Sequence, residues 1–420
     1  MRKIYLSLFL ICFLMTGLIK AQTYSIVIKG GHIIDPKNNI DKVMDIAVKD
    51  GKIALIAENI DAKEGVQVVS AQGLYVTPGL IDIHVHVYQG TNIDQQYMNG
   101  LSSITPDGFT FRVGVTTVVD AGCAGWRTFP DFKKQTIDKS QKRVLAFLNI
   151  VGEGMRGGPF EQNQKDMEPK ITAEYAKKNA NDIVGIKLAH YSGRDWNPVK
   201  LAEEAATLAN IPFMVDLGGA NPALSLDTLF SQIFRPGDIF THCFGQLGAS
   251  RECLVDPVTS KVKPYVWVAQ KKGVIFDVGY GGISFAYSQA IPAVKSGLLP
   301  SAIITDLHIG SMNGAMKDML TTMSKFLAMG MDLQSVIKAS TWQPAQIIKR
   351  EELGTLSVGS EADIAILNLR SGKFGLFDYT GKKLDADKKL ECEMTIRAGR
   401  IVYDLNGIAN PIFITRRRGN

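Results

Sequence analysis

The sequence predicts an α/β protein: a (β/α)8 TIM barrel with a small flanking β-sandwich built from both chain ends. Three observations carry this. Eight apolar, strand-like runs alternate with helical patterns between about residues 80 and 350, the rhythm of a parallel sheet and the count of a closed barrel. Hairpin-like β segments lie on both sides of that stretch. No Gly-rich phosphate loop follows the first run, which argues against an open doubly wound sheet.

Taken in order, residues 1–21 read as a secretory signal: Arg2-Lys3, an apolar stretch from Leu6 to Ile19, then Lys20-Ala21. Its apolar part is short for a membrane span, so the expectation is an exported chain, periplasmic or secreted, with no membrane span after signal removal. Of the formal charge of +6, Arg2, Lys3 and Lys20 account for three, leaving +3. That is no nucleic-acid footprint, and the basic stretch Thr415-Arg416-Arg417-Arg418 reads as a solvated end. A hydrophobic content of 45% and a charged content of 21% suit a folded, soluble protein. Cys123, Cys243, Cys253 and Cys392 remain after the leader, at wide spacings that form neither a disulfide framework nor a zinc pair. Buried thiols are expected, with room for one bridge.

Residues 22–79 form the first part of the sandwich. Ser25–Lys29 meets Gly30-Gly31 before His32, for which a surface or hairpin role is expected. Asp45–Lys49 turns at Asp50-Gly51 into Lys52–Ile56, a strong hairpin signal. Residues 351–420 form the second part, with a strand at 362–367 and a hairpin through Ala398-Gly399-Arg400.

The barrel occupies 80–350. Its expected strands are 80–87, 115–121, 144–150, 183–189, 212–217, 238–244, 274–279 and 302–307, with helices such as 198–209 and 316–329 between them. The first strand follows the breaker pair Pro78-Gly79 and contains His84 and His86 in an apolar run. Residues two apart on a strand face the same way. Two imidazoles buried side by side are costly unless bound, and a metal ion binds them well. At later strand ends stand Asp120, Glu153, Lys187, Asp216, His242, Asp306 and His308, polar groups recurring where a barrel carries its active site.

The segments P-G-L-I-D-I-H-V-H, G-I-K, D-I-F-T-H-C-F and I-T-D resemble the amidohydrolase superfamily of metal-dependent hydrolases. Residues 115–122, 143–150 and 323–328 narrow the likeness to its amidohydrolase/deacetylase group, related to dihydroorotases and acetyl-hydroxyacid esterases. The resemblance implies one or two divalent ions, commonly zinc. His84, His86 and Asp306 would hold the first ion, His242 the second, and Lys187 would bridge them as a carbamate (a carbamylated lysine).

Two positions depart from the family pattern. Asp216 stands where the fifth strand normally ends in His, and Tyr280 where Asp277-Val278-Gly279 is normally followed by His. Asp216 remains a metal ligand in this reading, as a harder anionic oxygen that favours a more alkaline pH optimum. The implied reaction is cleavage of an amide, cyclic amide or small acyl ester by a metal-bridging hydroxide, with Asp306 as the proton-transferring catalytic residue. Tyr280, His190, Arg156 and His308 are candidates for contact with a small-molecule substrate. A D-aminoacylase- or dipeptidase-like hydrolase and a non-catalytic metal- or ligand-binding barrel are the alternatives. A homo-oligomer is compatible with the composition.

Overall fold

The computed structural model describes residues 22–92, 94 and 96–412; the leader read at 1–21 and the basic stretch at 415–418 lie outside the described residues. The chain opens with five strands, β1 (Tyr24–Asp35), β2 (Ile40–Lys49), β3 (Lys52–Ala57), β4 (Gly65–Ser70) and β5 (Tyr75–Pro78). Seven barrel strands follow: β6 (Leu80–Val85), β7 (Val115–Gly125), β8 (Arg143–Asn149), β9 (Ile183–Tyr191), β10 (Phe213–Leu217), β11 (Ile239–Phe240) and β12 (Ile275–Phe276). The last four are β13 (Ile364–Phe377), β14 (Lys383–Arg397), β15 (Arg400–Asp404) and β16 (Ala409–Asn410).

The two chain ends share one nine-stranded sheet, ordered β15-β14-β13-β5-β1-β2-β3, with β4 and β16 branching from β1. Its hairpins turn where positive φ is demanded: Asp50 and Gly51 at φ 51° and 77°, Ala398 and Gly399 at 49° and 72°. Gly30-Gly31 does not end a strand. It makes a bulge inside β1, where the register with β2 shifts, and the Asp45 carboxylate accepts the freed Gly30 N–H at 2.8 Å. His32 is partly exposed and meets Asp41 of β2 at 2.6 Å. Ile28, Ile46, Val76, Leu356, Ile366 and Met394 belong to this sheet's own buried core, drawn from both chain ends.

The barrel strands lie parallel in chain order, β6 to β12. The eighth run does not form a continuous strand, yet it closes the ring through single parallel bridges, Val85 to Leu307 and Asp277 to Ala302. Its ladder is interrupted because the Asp82 carboxylate takes the Thr305 N–H at 3.2 Å and Asp306 sits at φ 53°. The sixth and seventh strands are shorter than expected for the same kind of reason, with His242 at φ 58° and Gly279 at 41°. Buried apolar side chains from seven of the runs, including Ile81, Val119, Phe147, Val184, Met214, Ile239 and Ile304, form one cluster, against which the partly buried Ile275 of the seventh packs. The expected helices are present as Asn197–Ala209, ended by Asn210 in the left-handed region, and Met319–Ala328, started by Asp318 capping Thr321 N–H at 2.6 Å. Among the described residues no helix is long and apolar enough to cross a membrane, and the four cysteines are free.

The pair β13–β14 reaches beyond its sheet as an arm onto the barrel. Tyr280 donates its hydroxyl to Phe377 O at 2.9 Å, and Tyr287 donates N–H to Asp378 Oδ2 at 2.8 Å and its hydroxyl to Leu376 O at 3.1 Å. Behind Tyr280 lies the buried Lys325, whose Nζ donates to the Tyr280 hydroxyl at 2.8 Å and to Ala315 O at 2.6 Å. Burial pushes the Lys325 amine down to about 7.

Two measurements test this packing. A Cβ on Gly185 would lie 2.1 Å from the Phe147 ring, so Gly185→Ala should cost about 1–3 kcal/mol in urea unfolding, and Phe147→Leu should recover part of it. The unfolded chain holds more protons than the folded one between the folded-state Lys325 value, about 7, and an unperturbed lysine value of about 10.4. The Lys325 burial penalty is therefore fully present below pH 7 and relieved as pH rises through that window. The stability of the wild type relative to Lys325→Met should climb from pH 7 to 10; a flat difference would refute the assignment.

Candidate metal centre

Asp82 and His84 stand two apart on β6, His86 follows one residue past its end, and both imidazoles are 1% exposed. His84 Nε2 lies 3.5 Å from Asp306 Oδ1, and His86 Nε2 lies 2.8 Å from the same oxygen. The opposite ring nitrogens are held by the protein. His84 Nδ1 meets Thr241 Oγ1 at 3.0 Å, and that hydroxyl donates to Asp277 Oδ1 at 2.7 Å. His86 Nδ1 meets Cys123 Sγ at 3.1 Å, while the thiol donates to Met98 O at 2.8 Å. Since both partners spend their own hydrogen elsewhere, both histidines carry theirs on Nδ1, and each Nε2 lone pair faces the centre. Burial first, then the nearby Lys187, hold His84 well below the usual imidazole range, so it stays neutral and able to ligate.

His242 completes the cluster from the end of the sixth run. Its Nδ1 donates to Gly279 O, its ring lies 5.3 Å from that of His84, and its Nε2 is 3.0 Å from Asp216 Oδ2. Ligand atoms of His84, His242 and Asp306 lie within 4.8 Å of one another, all buried. Burial would raise the Asp306 carboxyl, but His84 and His86 outweigh it and hold it well below its usual range. Lys187 is fully buried, with Nζ 3.3 Å from His84 Nε2 and 3.3 Å from Met214 Sδ. Among the described residues no carboxylate lies at ion-pair distance from it, an expensive place for an ammonium.

Asp216 reaches a second imidazole. His190 Nε2 lies 3.3 Å from Asp216 Oδ2, and its Nδ1 lies 3.0 Å from Glu161 Oε2. Burial alone would lower His190; Asp216 and Glu161 outweigh it and push the imidazole up to about 10. Beside it opens a cleft of about 860 Å³ lined by Tyr97, Arg156, Phe160, Glu161 and Gln162. Another cleft, about 450 Å³ between Asn210, Arg235 and Gln346, lies near the start of β10 and holds no histidine.

His84, His86, Lys187, Asp216, His242, Asp306 and His190 are thus brought together, and the remaining expectations fare differently. His308 stands at the edge, its ring 6.1 Å from His86 and its Nδ1 accepting Gly310 N–H at 3.1 Å. Arg156 lines the cleft, but its guanidinium is already paired with Asp94 at 2.5 Å and Glu153 at 3.2 Å, so it offers no free carboxylate clamp. Tyr280 corrects the expectation placed on it: it is fully buried, stacked on Phe285 at 4.5 Å and bonded to Phe377 O and Lys325. Its hydroxyl therefore serves the arm, not a substrate.

Cys123, Thr241, Asp277 and Glu161 were not foreseen. Thr241 and Asp277 sit inside the matched motifs, beside His242 and before Gly279, where a partner for a ligating histidine is worth seeking. Glu161 lies in a loop and Cys123 at an apolar strand end, with no local signal. Partners of ligating histidines typically carry 10–100-fold of metal affinity. Cys123→Val should therefore lower affinity for zinc or cobalt by about 10–100-fold in chelator competition, with near-native circular dichroism; unchanged affinity would show that the thiol does not orient His86.

Comparison with known proteins agrees with this arrangement. The amidohydrolase family model matches residues 287–402. A deacetylase of Brucella anthropi is 36% identical over 353 residues, 81% of this chain and 83% of that protein. A deacetylase of Enterococcus faecalis is 30% identical over 391 residues, 91% and 99% of the two chains. Among solved structures, one described as an adenine deaminase superposes with a TM-score of 0.80 at 29% identity, covering 91% of this chain and all of its own (100%). One described as a dihydroorotase gives 0.79 at 29%, covering 90% and 99%. Likeness of this extent, over a barrel whose mouth gathers buried histidines around an aspartate, places the chain in the amidohydrolase superfamily.

Proposed function

We propose that this protein is a divalent-metal-dependent hydrolase of carbon–nitrogen bonds other than peptide bonds, acting on a small amide or cyclic amide, with small acyl esters within its range. The observation that carries the reading is the convergence of His84, His242 and Asp306 within 4.8 Å, with His86 on the same Asp306 oxygen. The deacetylases and the dihydroorotase among its relatives support an amide or cyclic amide as the scissile group.

The donor set fits a divalent ion: imidazoles whose Nδ1 is held by the protein and whose Nε2 faces inward, with the Asp306 carboxylate among them. His84, His86 and Asp306 would hold one ion, and His242 with Asp216 a second, with zinc the metal this set suits best. A carbamate on Lys187 would place an anionic oxygen donor where the side chain is fully buried beside His84. Bound there, the metal supplies Lewis acidity toward a carbonyl oxygen and brings the pKa of water down towards ~7.

The chain's own residues supply the rest. Asp306 Oδ1 is committed to the histidines. A Cβ on Gly281 would lie 2.5 Å from Asp306 Oδ2, so the absence of a side chain there keeps that oxygen reachable. Asp306 Oδ2 accepts the proton given up by the attacking water and passes it to the leaving nitrogen as the carbon–nitrogen bond breaks. The cleft beside His190 admits the substrate, and the leader read at 1–21 directs the protein out of the cytoplasm.

A non-catalytic metal-binding barrel is the second reading, favoured by Asp216 and by the buried Tyr280, which stand where the family pattern has histidines. An assay separates the two. Purified protein loaded with zinc, manganese or cobalt should turn over at least one of a panel of N-acyl amino acids, cyclic ureides and acetyl esters, and lose that activity on chelation. Asp306→Asn should lower kcat/KM by about 10²–10⁴-fold. No turnover by the metal-loaded protein on any panel member would favour the binder.

A further inference from the structure

We propose that His190 is a ligand of the second metal ion, oriented by Glu161, and that His190 with Asp216 replaces the histidine expected at the end of the fifth strand. This rests on the metallohydrolase reading above and adds the residue that reading leaves unassigned.

The first support is local backbone geometry. Lys187 and His190 are three apart on β9, so a regular strand would point them to opposite faces. β9 is not regular there. Asp216 of β10 pairs with Ala189 and Leu217 with Tyr191, leaving His190 as the extra residue of a bulge, at φ 54°. A bulge re-aims one side chain, and this one brings His190 back to the face that carries Lys187. A non-glycine residue in the left-handed region costs roughly 1–3 kcal/mol and tends to mark a functional position.

The second support is where the ring goes. His190 Nε2 lies 3.3 Å from Asp216 Oδ2, the same oxygen that lies 3.0 Å from His242 Nε2. Two imidazole nitrogens thus converge on one carboxylate oxygen at the edge of the cluster. On its far side Nδ1 is held at 3.0 Å by the buried Glu161, whose second oxygen has no hydrogen-bond partner among the described residues. A carboxylate behind the distal nitrogen of an imidazole fixes its tautomer and strengthens it as a donor. A simple His190–Asp216 ion pair would explain one contact; it explains neither the bulge nor the carboxylate placed behind the ring.

The test uses the mature full-length protein loaded with cobalt(II). Each ligating imidazole that keeps its N–H gives one solvent-exchangeable, paramagnetically shifted proton resonance. His84, His86, His190 and His242 should give four such signals, and three should be seen if His190 does not ligate. His190→Ala should remove one signal and lower cobalt content from two ions per chain to one, and Glu161→Gln should weaken the second ion by about 10–100-fold. Three signals in the wild type, or two ions retained by a folded His190→Ala, would overturn the assignment and leave the hydrolase reading intact. If His190→Ala does not fold, the wild-type signal count decides alone. Wild-type protein that retains no cobalt would defeat both.

Discussion

The site exists because the barrel closes at one seam. Leu307 accepts from His86 N–H at 2.9 Å and donates its own N–H to His84 O at 3.2 Å, joining the last run of the barrel to the first at the level of the two histidines. Each such bond is worth only about 1 kcal/mol net. Their weight is geometric, since they set the distance at which Asp306 meets both rings. The same seam gives up ladder bonds two residues earlier, where Asp82 takes the Thr305 N–H and hydroxyl. Burial pushes the Asp82 carboxyl up to about 7 despite those bonds, which marks the seam as a place where regular sheet was exchanged for side-chain architecture.

That exchange recurs around the rim. His190, His242 and Asp306 all leave their strands at φ between 53° and 58°, a conformation L-residues avoid. The strain persists because the surroundings over-determine it: Glu161 and Asp216 hold His190, Gly279 O holds His242, and the histidine pair holds Asp306. Short polar tethers thereby fix donors from five of the eight runs, the first, fourth, fifth, sixth and eighth, as one inward-facing set.

Much of this was legible in the sequence, where periodicity governs. The H-x-H pair follows from strand parity, and the eight runs from their apolar rhythm. What escaped depends on broken periodicity or distant partners. His190 is legible as a polar residue near the site, but nothing local announces the bulge between Ala189 and Tyr191. The ragged eighth strand is invisible for the same reason, since its interruption comes from the side chain of Asp82. Tyr280 looked like a pocket residue because its position in the motif was known and its partner was not; that partner is a carbonyl of Phe377, 97 residues later. Arg156 was legible as a charge, but the carboxylates that occupy it, Asp94 and Glu153, flank it from two loops.

The position of β5 in the mixed sheet sets an order on how the molecule is made. β5 runs straight into β6 with one residue between, and it lies hydrogen-bonded between β1 and β13. During synthesis β1 emerges early, but β13 begins at residue 364, so for most of translation one edge of β5 has no neighbour. The strand that leads into the histidine pair therefore stays anchored on one flank only until the polypeptide is almost complete. A ribosome stalled after the barrel would display every expected metal ligand without the final clasp, and such long-range pairing makes late, slow consolidation the expected course of folding.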